Sequence, residues 1–425
     1  MNPKHPARRW LILADDLTGA ADCATAFAKR GIESKVVWSD GRDGGSSGTE
    51  SPVLSYDIRC RGASSSVAAA KHRDVLSRHF DSQTNLFKKI DSTLRGQPAA
   101  EIAAAMGAVK ARAGSAFGVL APAFPATGRT TLGGRVHIGG EPLETTTIWQ
   151  SDRTYCSADL VEVLASADIA SEKVSLETVR DEGGGLHAAL AKIADRNDVV
   201  AVCDAATQDD LMRIVAATEP SEDATFFIGS AGLAHALAAA LPRTRRETVE
   251  IRRTTRGSLI VVGSLAEASK AAARRFAVNA DVRYFPVTPD LLLDEAAYIK
   301  RAVLAAEIID ALHAGDVLIE LVGDEPDRRI GPPLAAELAN FLKPAAAQTS
   351  GLAATGGETA AALLACFGVE GIRLIDEIES GVSLGLTQGA LRLPLVTKSG
   401  AFGDEGSLIR IAARLRRIGQ LGIVA

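Results

Sequence analysis

Two patterns alternate along the chain. Short, uninterrupted apolar runs come first: "WLILA", "KVVW", "PVLSYDI", "NLFKKI", "FGVLAPAF", "DVVAVCD" and "TFFIG". These lack the in-out alternation of a half-exposed strand and predict strands covered on both faces, as in a parallel sheet. Between them lie segments with apolar residues every three to four positions, which predict helices: "VAAAKHRDVLSRHF", "PAAEIAAAMGAVKAR", "DDLMRIVAAT" and "GLAHALAAAL". A helix is also expected from about Ala20, with Ala21, Ala24, Phe27 and Ala28 on one face and Asp16 or Thr18 as its cap. "RVHIGGEPLE" offers Gly139 and Gly140 for a small β hairpin, and "DGRDGGSSGTE" is a polar loop.

The alternation breaks at the charged, proline-containing stretch "LPRTRRETVEIRRTTRG" and then resumes with "SLIVVG", "DVLIELVG", "GLAAT", "IRLIDEI" and "PLVTKSG". Two domains are expected, at about 1–245 and 255–425. The fold class is α/β, each domain having a mostly parallel sheet flanked by helices, with a ligand cleft expected between the domains.

Composition narrows the function classes. Hydrophobic residues make up 47% and charged residues 23%, an ordinary globular balance, but aromatics are only 4%, so small side chains must do much of the packing. A net charge of -5 and the absence of a broad basic stripe argue against a nucleic-acid partner. Cys23, Cys60, Cys156, Cys203 and Cys366 show no CxxC spacing and read as buried free thiols in a reducing compartment, not as a zinc site. The first apolar run ends in two aspartates, unlike a signal peptide, and no stretch approaches the ~20 apolar residues of a membrane span. A cytoplasmic protein with no membrane partner is expected; a homo-oligomer is allowed, without a motif that demands one.

Four polar clusters follow strand-like runs in the first half. They are Asp15-Asp16 with Thr18-Gly19; "YDIRCRG", where Asp57, Arg59 and Arg61 would share a face if extended; "KKIDSTLRG", with Lys88, Lys89, Asp91, Ser92, Thr93 and Arg95; and "APAFPATGRTTLGG", with Thr127, Arg129, Thr130 and Thr131. Any one of them serves equally well to build a turn. Together they suit one kind of ligand: carboxylates bind hydroxyls, and guanidinium and ammonium groups bind an acid.

The second half carries glycine- or serine-bearing loops after strands: Gly263-Ser264, "AATGGETA" and "TKSGAFGDEG". Paired glycines at a helix start can bring backbone N–H groups to a phosphate. Glu358, beside Gly356 and Gly357, would repel phosphate and better suits a metal ion or a ribose. A P-loop, a clean GxGxxG after the first strand and a GxSxG elbow are absent, which sets aside those nucleotide and hydrolase classes.

The ordered motifs "ADDLTGA", "DIRCR", "KKIDSTLRG", "APAFPATGRTT", "GSAGLA", "TGGETA" and "TKSGAFG" resemble the four-carbon acid sugar kinase family over nearly the whole chain. The resemblance implies an N-terminal domain for the sugar acid and a C-terminal domain for ATP. It implies that Asp15, Asp16, Asp57, Arg59, Lys89, Asp91, Ser92 and Arg95 surround the acid. It implies that Ser264, Thr355, Gly356, Gly357, Glu358, Thr359, Gly400 and Gly403 surround ATP, with Mg2+ bridging its phosphates through ligands left open. The implied reaction phosphorylates the terminal 4-hydroxyl of threonate, erythronate or 3-oxo-tetronate. Asp16 is the first choice for the base, then Asp91, then Asp404. The competing class is a non-catalytic sugar-acid sensor, which would ignore ATP.

Overall fold

A computed structural model describes residues 8–38, 51–218, 223–279, 281–323 and 331–424; the polar loop expected at 40–50 lies outside the described residues. Two compact units are present. One comprises residues 1–34 and 38–244, the other residues 35–37 and 245–425. The strands in chain order are β1 (Arg9–Ala14), β2 (Ser34–Trp38), β3 (Val53–Asp57), β4 (Thr84–Lys89), β5 (Phe117–Ala121), β6 (Arg129–Leu132), β7 (Arg135–Ile138), β8 (Glu141–Pro142), β9 (Ala170–Val174), β10 (Val199–Cys203) and β11 (Thr225–Gly229). They continue with β12 (Val249–Glu250), β13 (Leu259–Val262), β14 (Val282–Val287), β15 (Asp316–Leu321), β16 (Leu352–Thr355), β17 (Val369–Glu379), β18 (Val382–Gly389), β19 (Pro394–Lys398) and β20 (Ile423–Val424).

In the first unit the sheet order is β3-β1-β4-β11-β5-β10-β9, and every pairing is parallel. β3, β5 and β10 are buried at every residue, the signature of a sheet covered on both faces. The register sets Ala14 opposite Asp57, and Gly229 opposite Lys89. The strands therefore deliver their trailing polar residues to one carboxyl edge, where open α/β sheets hold ligands.

The helix Leu17–Ala28 begins three residues earlier than the apolar pattern implied. Asp16, in extended conformation, caps it by accepting from the Gly19 N–H. All twelve residues of this helix are buried, and Ala20, Ala21 and Ala24 are fully enclosed. A helix apolar on every side is one sunk in the core. Alanine and glycine make this close approach feasible, which answers the shortage of aromatics.

A three-stranded antiparallel sheet, β6–β7–β8, is appended to this unit. Its second turn is the expected one, with Gly139 and Gly140 at φ 61 and 91. Its first turn, at Gly133–Gly134, is pinned by Asp204, whose two carboxylate oxygens accept from the two glycine N–H groups at 2.7 and 2.8 Å.

The second unit has the order β14-β15-β13-β16-β19-β18-β17. The first five strands are parallel; β18 and β17 are antiparallel, so "IRLIDEI" lies in the antiparallel part of a mostly parallel sheet. The helix Ser407–Leu421 buries Leu408, Ile411, Ala412, Leu415 and Ile418 against Ile260, Val262, Leu318 and Val396. That spacing draws one apolar stripe on a 3.6-residue period, and Gly422 in the left-handed region ends the helix. Among the described residues no helix is long and apolar enough to cross a membrane. All five cysteines are free; Cys23, Cys60 and Cys203 are buried, whereas Cys156 is exposed and Cys366 half-buried, contrary to the expectation for all five.

Candidate active site

At the carboxyl edge of the first sheet, Arg61 gathers three carboxylates. Its Nε and Nη2 donate to Asp15 Oδ2 and Oδ1 at 2.7 and 2.9 Å, its Nη1 donates to Asp16 Oδ2 at 2.7 Å, and Nη2 lies 3.3 Å from Asp91 Oδ2. Asp16 Oδ2 also accepts from the Thr18 hydroxyl at 2.8 Å, while Oδ1 takes the Gly19 N–H at 3.0 Å. Asp91 accepts from Arg95 Nη2 at 2.8 Å, the Thr93 N–H at 2.9 Å and the Thr93 hydroxyl. The backbone is bent to allow this: Leu94 has φ 60, and a Cβ at Gly96 would lie 2.9 Å from Asp15 Oδ2.

Electrostatics separate these carboxylates. Burial pushes Asp91 up, but Arg95, Arg61 and Lys89 outweigh it and hold the carboxyl well below its usual range. Asp15 is likewise held low, Arg61 with help from Lys89 and Lys88 overcoming its burial. Asp57 goes the other way: burial, only partly countered by Arg59, pushes it up to about 7. Lys89 is 6% exposed and makes no ion pair or hydrogen bond through its ammonium among the described residues. Burial pulls its pKa down, yet the surrounding Cys23, Asp15, Asp16 and Asp91 raise it overall, so it stands charged beside Asp16.

The structure thus brings together Asp15, Asp16, Lys89, Asp91 and Arg95, with Ser92 buried in the same turn. It does not form the expected shared face of Asp57, Arg59 and Arg61. The strand stops at Asp57, and Arg59 takes φ 51. Arg59 turns to Asp57, donating N–H to Oδ1 at 3.1 Å, and lies over the Trp38 ring at 5.1 Å. Arg61 fills the central place instead. Sequence reading grouped Lys88 with the other polar residues of its cluster and passed over Glu101. Lys88 is fully buried, its ammonium 2.8 Å from Glu101 Oε2 and donating to the carbonyls of Lys89 and Leu13 at 2.7 and 3.2 Å. Period-two geometry was the available signal, since adjacent strand residues face opposite sides. Arg129 is 7% exposed and feels the charges of Asp91 and Arg95.

In the second unit, three strand ends meet through small residues. A Cβ on Gly400 would lie 1.9 Å from Ser264 Oγ, and one on Gly356 would lie 3.5 Å from Ser264 Cβ. A Cβ on Gly263 would lie 2.0 Å from Thr359 Oγ1. Gly356, at φ 92, gives the helix Gly357–Cys366 no side-chain cap, which leaves its first N–H groups for another acceptor. The Thr355 hydroxyl is buried without a partner. These orphaned donors and close bends fit phosphate groups. Glu358 is exposed in the first helical turn, where one carboxylate beside phosphates suits Mg2+. Gly403 departs from this group: a Cβ there would meet Ser407 Oγ at 2.2 Å and Glu379 Oε1 at 2.8 Å. Asp404 is tied to Arg410 at 2.8 Å and to the Gly406 N–H at 2.7 Å.

Comparison with known proteins agrees with this division of chemistry. The model of a sugar-binding N-terminal domain matches residues 10–237, and that of a nucleotide-binding C-terminal domain matches residues 259–408. The D-threonate kinase of Cupriavidus necator is 37% identical, covering 94% of this chain and 96% of the relative. The D-erythronate kinase of Heliobacterium modesticaldum is 26% identical, covering 93% of this chain and 94% of the relative. The crystal structure of Haemophilus influenzae protein HI1011 shares the fold, with a TM-score of 0.70 at 18% identity, covering 96% of this chain and 100% of that one. With both domain models matched in order and a close relative aligned almost end to end, the chain belongs to the four-carbon acid sugar kinase family.

Proposed function

We propose that the protein transfers the γ-phosphoryl group of ATP to the 4-hydroxyl of D-threonate, or of a four-carbon sugar acid differing from it at one centre. The observation that carries this reading is the cluster of Asp15, Asp16 and Asp91 with Arg61, Arg95 and Lys89, inside the segment matched to a sugar-binding domain. Its cations suit a substrate carboxylate and its carboxylates suit hydroxyls. D-threonate is placed first because the 37% identical relative carries that name.

Phosphoryl transfer asks for positioning and for neutralisation of spread negative charge. Lys89, free of an ion pair, takes the acid group, with Arg95 beside it. Asp16 accepts the proton of the 4-hydroxyl as that oxygen bonds to the γ-phosphorus; the bond from the γ-phosphorus to the bridging oxygen breaks, and ADP leaves. The N–H groups around Gly356 and Gly400 and the Thr355 hydroxyl hold the phosphates. Mg2+, when bound with the nucleotide near Glu358, neutralises phosphate charge.

The test is an ADP-release assay over D-threonate, D-erythronate and 3-oxo-tetronate with ATP and magnesium, the product's phosphate position being read by NMR. D-threonate should give the highest kcat/KM and a 4-phosphate; no ATP-dependent turnover of any of the three would refute the assignment. Gly400→Val forces a side chain onto Ser264 Oγ, which a Cβ would approach to 1.9 Å. It should raise the KM for ATP at least about tenfold while leaving the KM for the acid unchanged. An unaltered ATP requirement would remove Gly400 from the phosphate site.

A further inference from the structure

We propose that Lys398 is the charge partner of the nucleotide phosphates: an ammonium that the protein buries without a counter-ion and that ADP or ATP completes. The inference rests on the reading of the second unit as the nucleotide site. It concerns a residue outside the glycine bends themselves.

Lys398 ends β19 opposite Thr355, and its carbonyl accepts the Gly356 N–H at 2.9 Å. Its side chain lies within this neighbourhood and is 1% exposed. Among the described residues the ammonium reaches only Ser269 Oγ at 3.4 Å and the Ser399 carbonyl at 3.3 Å. Both contacts are at the long limit for a hydrogen bond, and three donors are available. Ser269 in turn donates to the Gly400 carbonyl at 2.8 Å, so one serine links the ammonium to the Gly400 bend, while Lys398 Cε lies 3.1 Å from where a Cβ on Gly403 would sit.

The same chain shows what a self-sufficient buried lysine looks like. Lys88, equally enclosed, has a carboxylate at 2.8 Å and two carbonyls. Lys398 has no ion pair among the described residues. The carboxylate it feels is Glu379, whose oxygens are engaged by the Ser407 hydroxyl and by Arg410. Arg410 is shared with Asp404, and Ser269 and Ser407 are neutral, so among the described residues Glu379 is the charge that favours the ammonium. Burial accordingly pulls the Lys398 pKa down to about 8, Glu379 countering only in part. The unpartnered Thr355 hydroxyl, the register neighbour of Lys398, is a second group in the same place that lacks an acceptor or donor.

A phosphate anion close to such a group raises its pKa by about 1–3. Nucleotide binding above pH 8 must therefore draw a proton from solvent. At pH 8.5 a group with a pKa near 8 is roughly three-quarters neutral, and the nucleotide's own phosphates are fully ionised. Titration calorimetry with ADP at pH 8.5, in two buffers of different ionisation enthalpy, should report net proton uptake by the unaltered protein.

Lys398→Arg keeps the charge but cannot lose its proton, so it should bind ADP with that uptake abolished. Lys398→Met should bind ADP at least about tenfold more weakly. Binding without proton uptake by the unaltered protein overturns the proposal and leaves the nucleotide site standing. Undiminished uptake in Lys398→Arg also overturns it. Failure of the unaltered protein to bind ADP at all overturns both. The unaltered protein decides the question even if the Met variant does not fold.

Discussion

Replacing Asp16 by asparagine is expected to lower turnover by about 10²–10⁴-fold while the thermal midpoint stays nearly unchanged. Three carboxylates meet at Arg61, and their surroundings set Asp16 apart as the base. Asp15 spends both oxygens on Arg61 and is 2% exposed. Asp91 is satisfied by Arg95 and Thr93 and held well below the usual carboxylate range, so it has little appetite for a proton. Asp16 is the most open of the three at 14%, and its Oδ1 carries a single N–H. Asparagine caps a helix about as well as aspartate, so the Gly19 N–H keeps its acceptor and the helix its start. Single-turnover rates and melting curves for the variant separate the two effects. Near-normal turnover would strike Asp16 from the mechanism and move attention to Asp91→Asn.

Arg61→Met should be the most damaging substitution in the first unit, destabilising it by about 3–5 kcal/mol. Asp15 is the reason: buried, and among the described residues with no other cation in hydrogen-bond contact, it would keep only the through-space pull of Lys89 and Lys88. The pH dependence carries the diagnosis. In the unaltered protein the Asp15 pKa is below its unfolded value, so its contribution is present above about pH 4 and is lost as pH falls through the lower folded value. Without Arg61, burial is opposed only by the more distant pull of Lys89 and Lys88, and the Asp15 pKa is expected to rise. The variant should therefore gain more stability than the parent as pH falls from 8 to 5, since both carry the gain from the raised Asp57 and only the variant adds one from Asp15. Adding Asp15→Asn should recover much of the stability but not the activity. Denaturant unfolding of the parent, the two single variants and the double variant, each at pH 8 and pH 5, measures this coupling; additive losses with no extra gain on acidification would show that Arg61 does not hold Asp15 in the fold.

Much of this architecture is legible in the chain because parallel strands are apolar throughout and their polar tails collect at one edge. Asp15, Asp16, Lys89 and Asp91 are neighbours for that reason alone, and the motif order carries the family. Misjudgements arose where one backbone torsion decides a side chain's direction. Extended alternation would set Arg59 and Arg61 side by side; the positive φ of Arg59 sends it to Trp38 and leaves Arg61 to the carboxylates. Lys88 and Lys89 look interchangeable as a pair of letters, yet the pleat sends one to Glu101 and the other to the edge. Glu101 sits in an alanine-rich helix, where a lone acid reads as solvent-facing; only the opposing lysine shows otherwise. Gly403 resembles Gly400 in the motif, but its contacts are with Ser407 and Glu379.

The helix Leu17–Ala28 has no residue on the outside. Saturation mutagenesis should therefore score its twelve positions as harshly as any strand, including those remote from ligand. A lineage adapting to another acid has little freedom to vary there, because each larger residue must first be accommodated by the core. Divergence in preference would accumulate where the scaffold tolerates revision, and the appended β6–β8 sheet, carrying Arg129 on its first strand, is the natural place to direct a library.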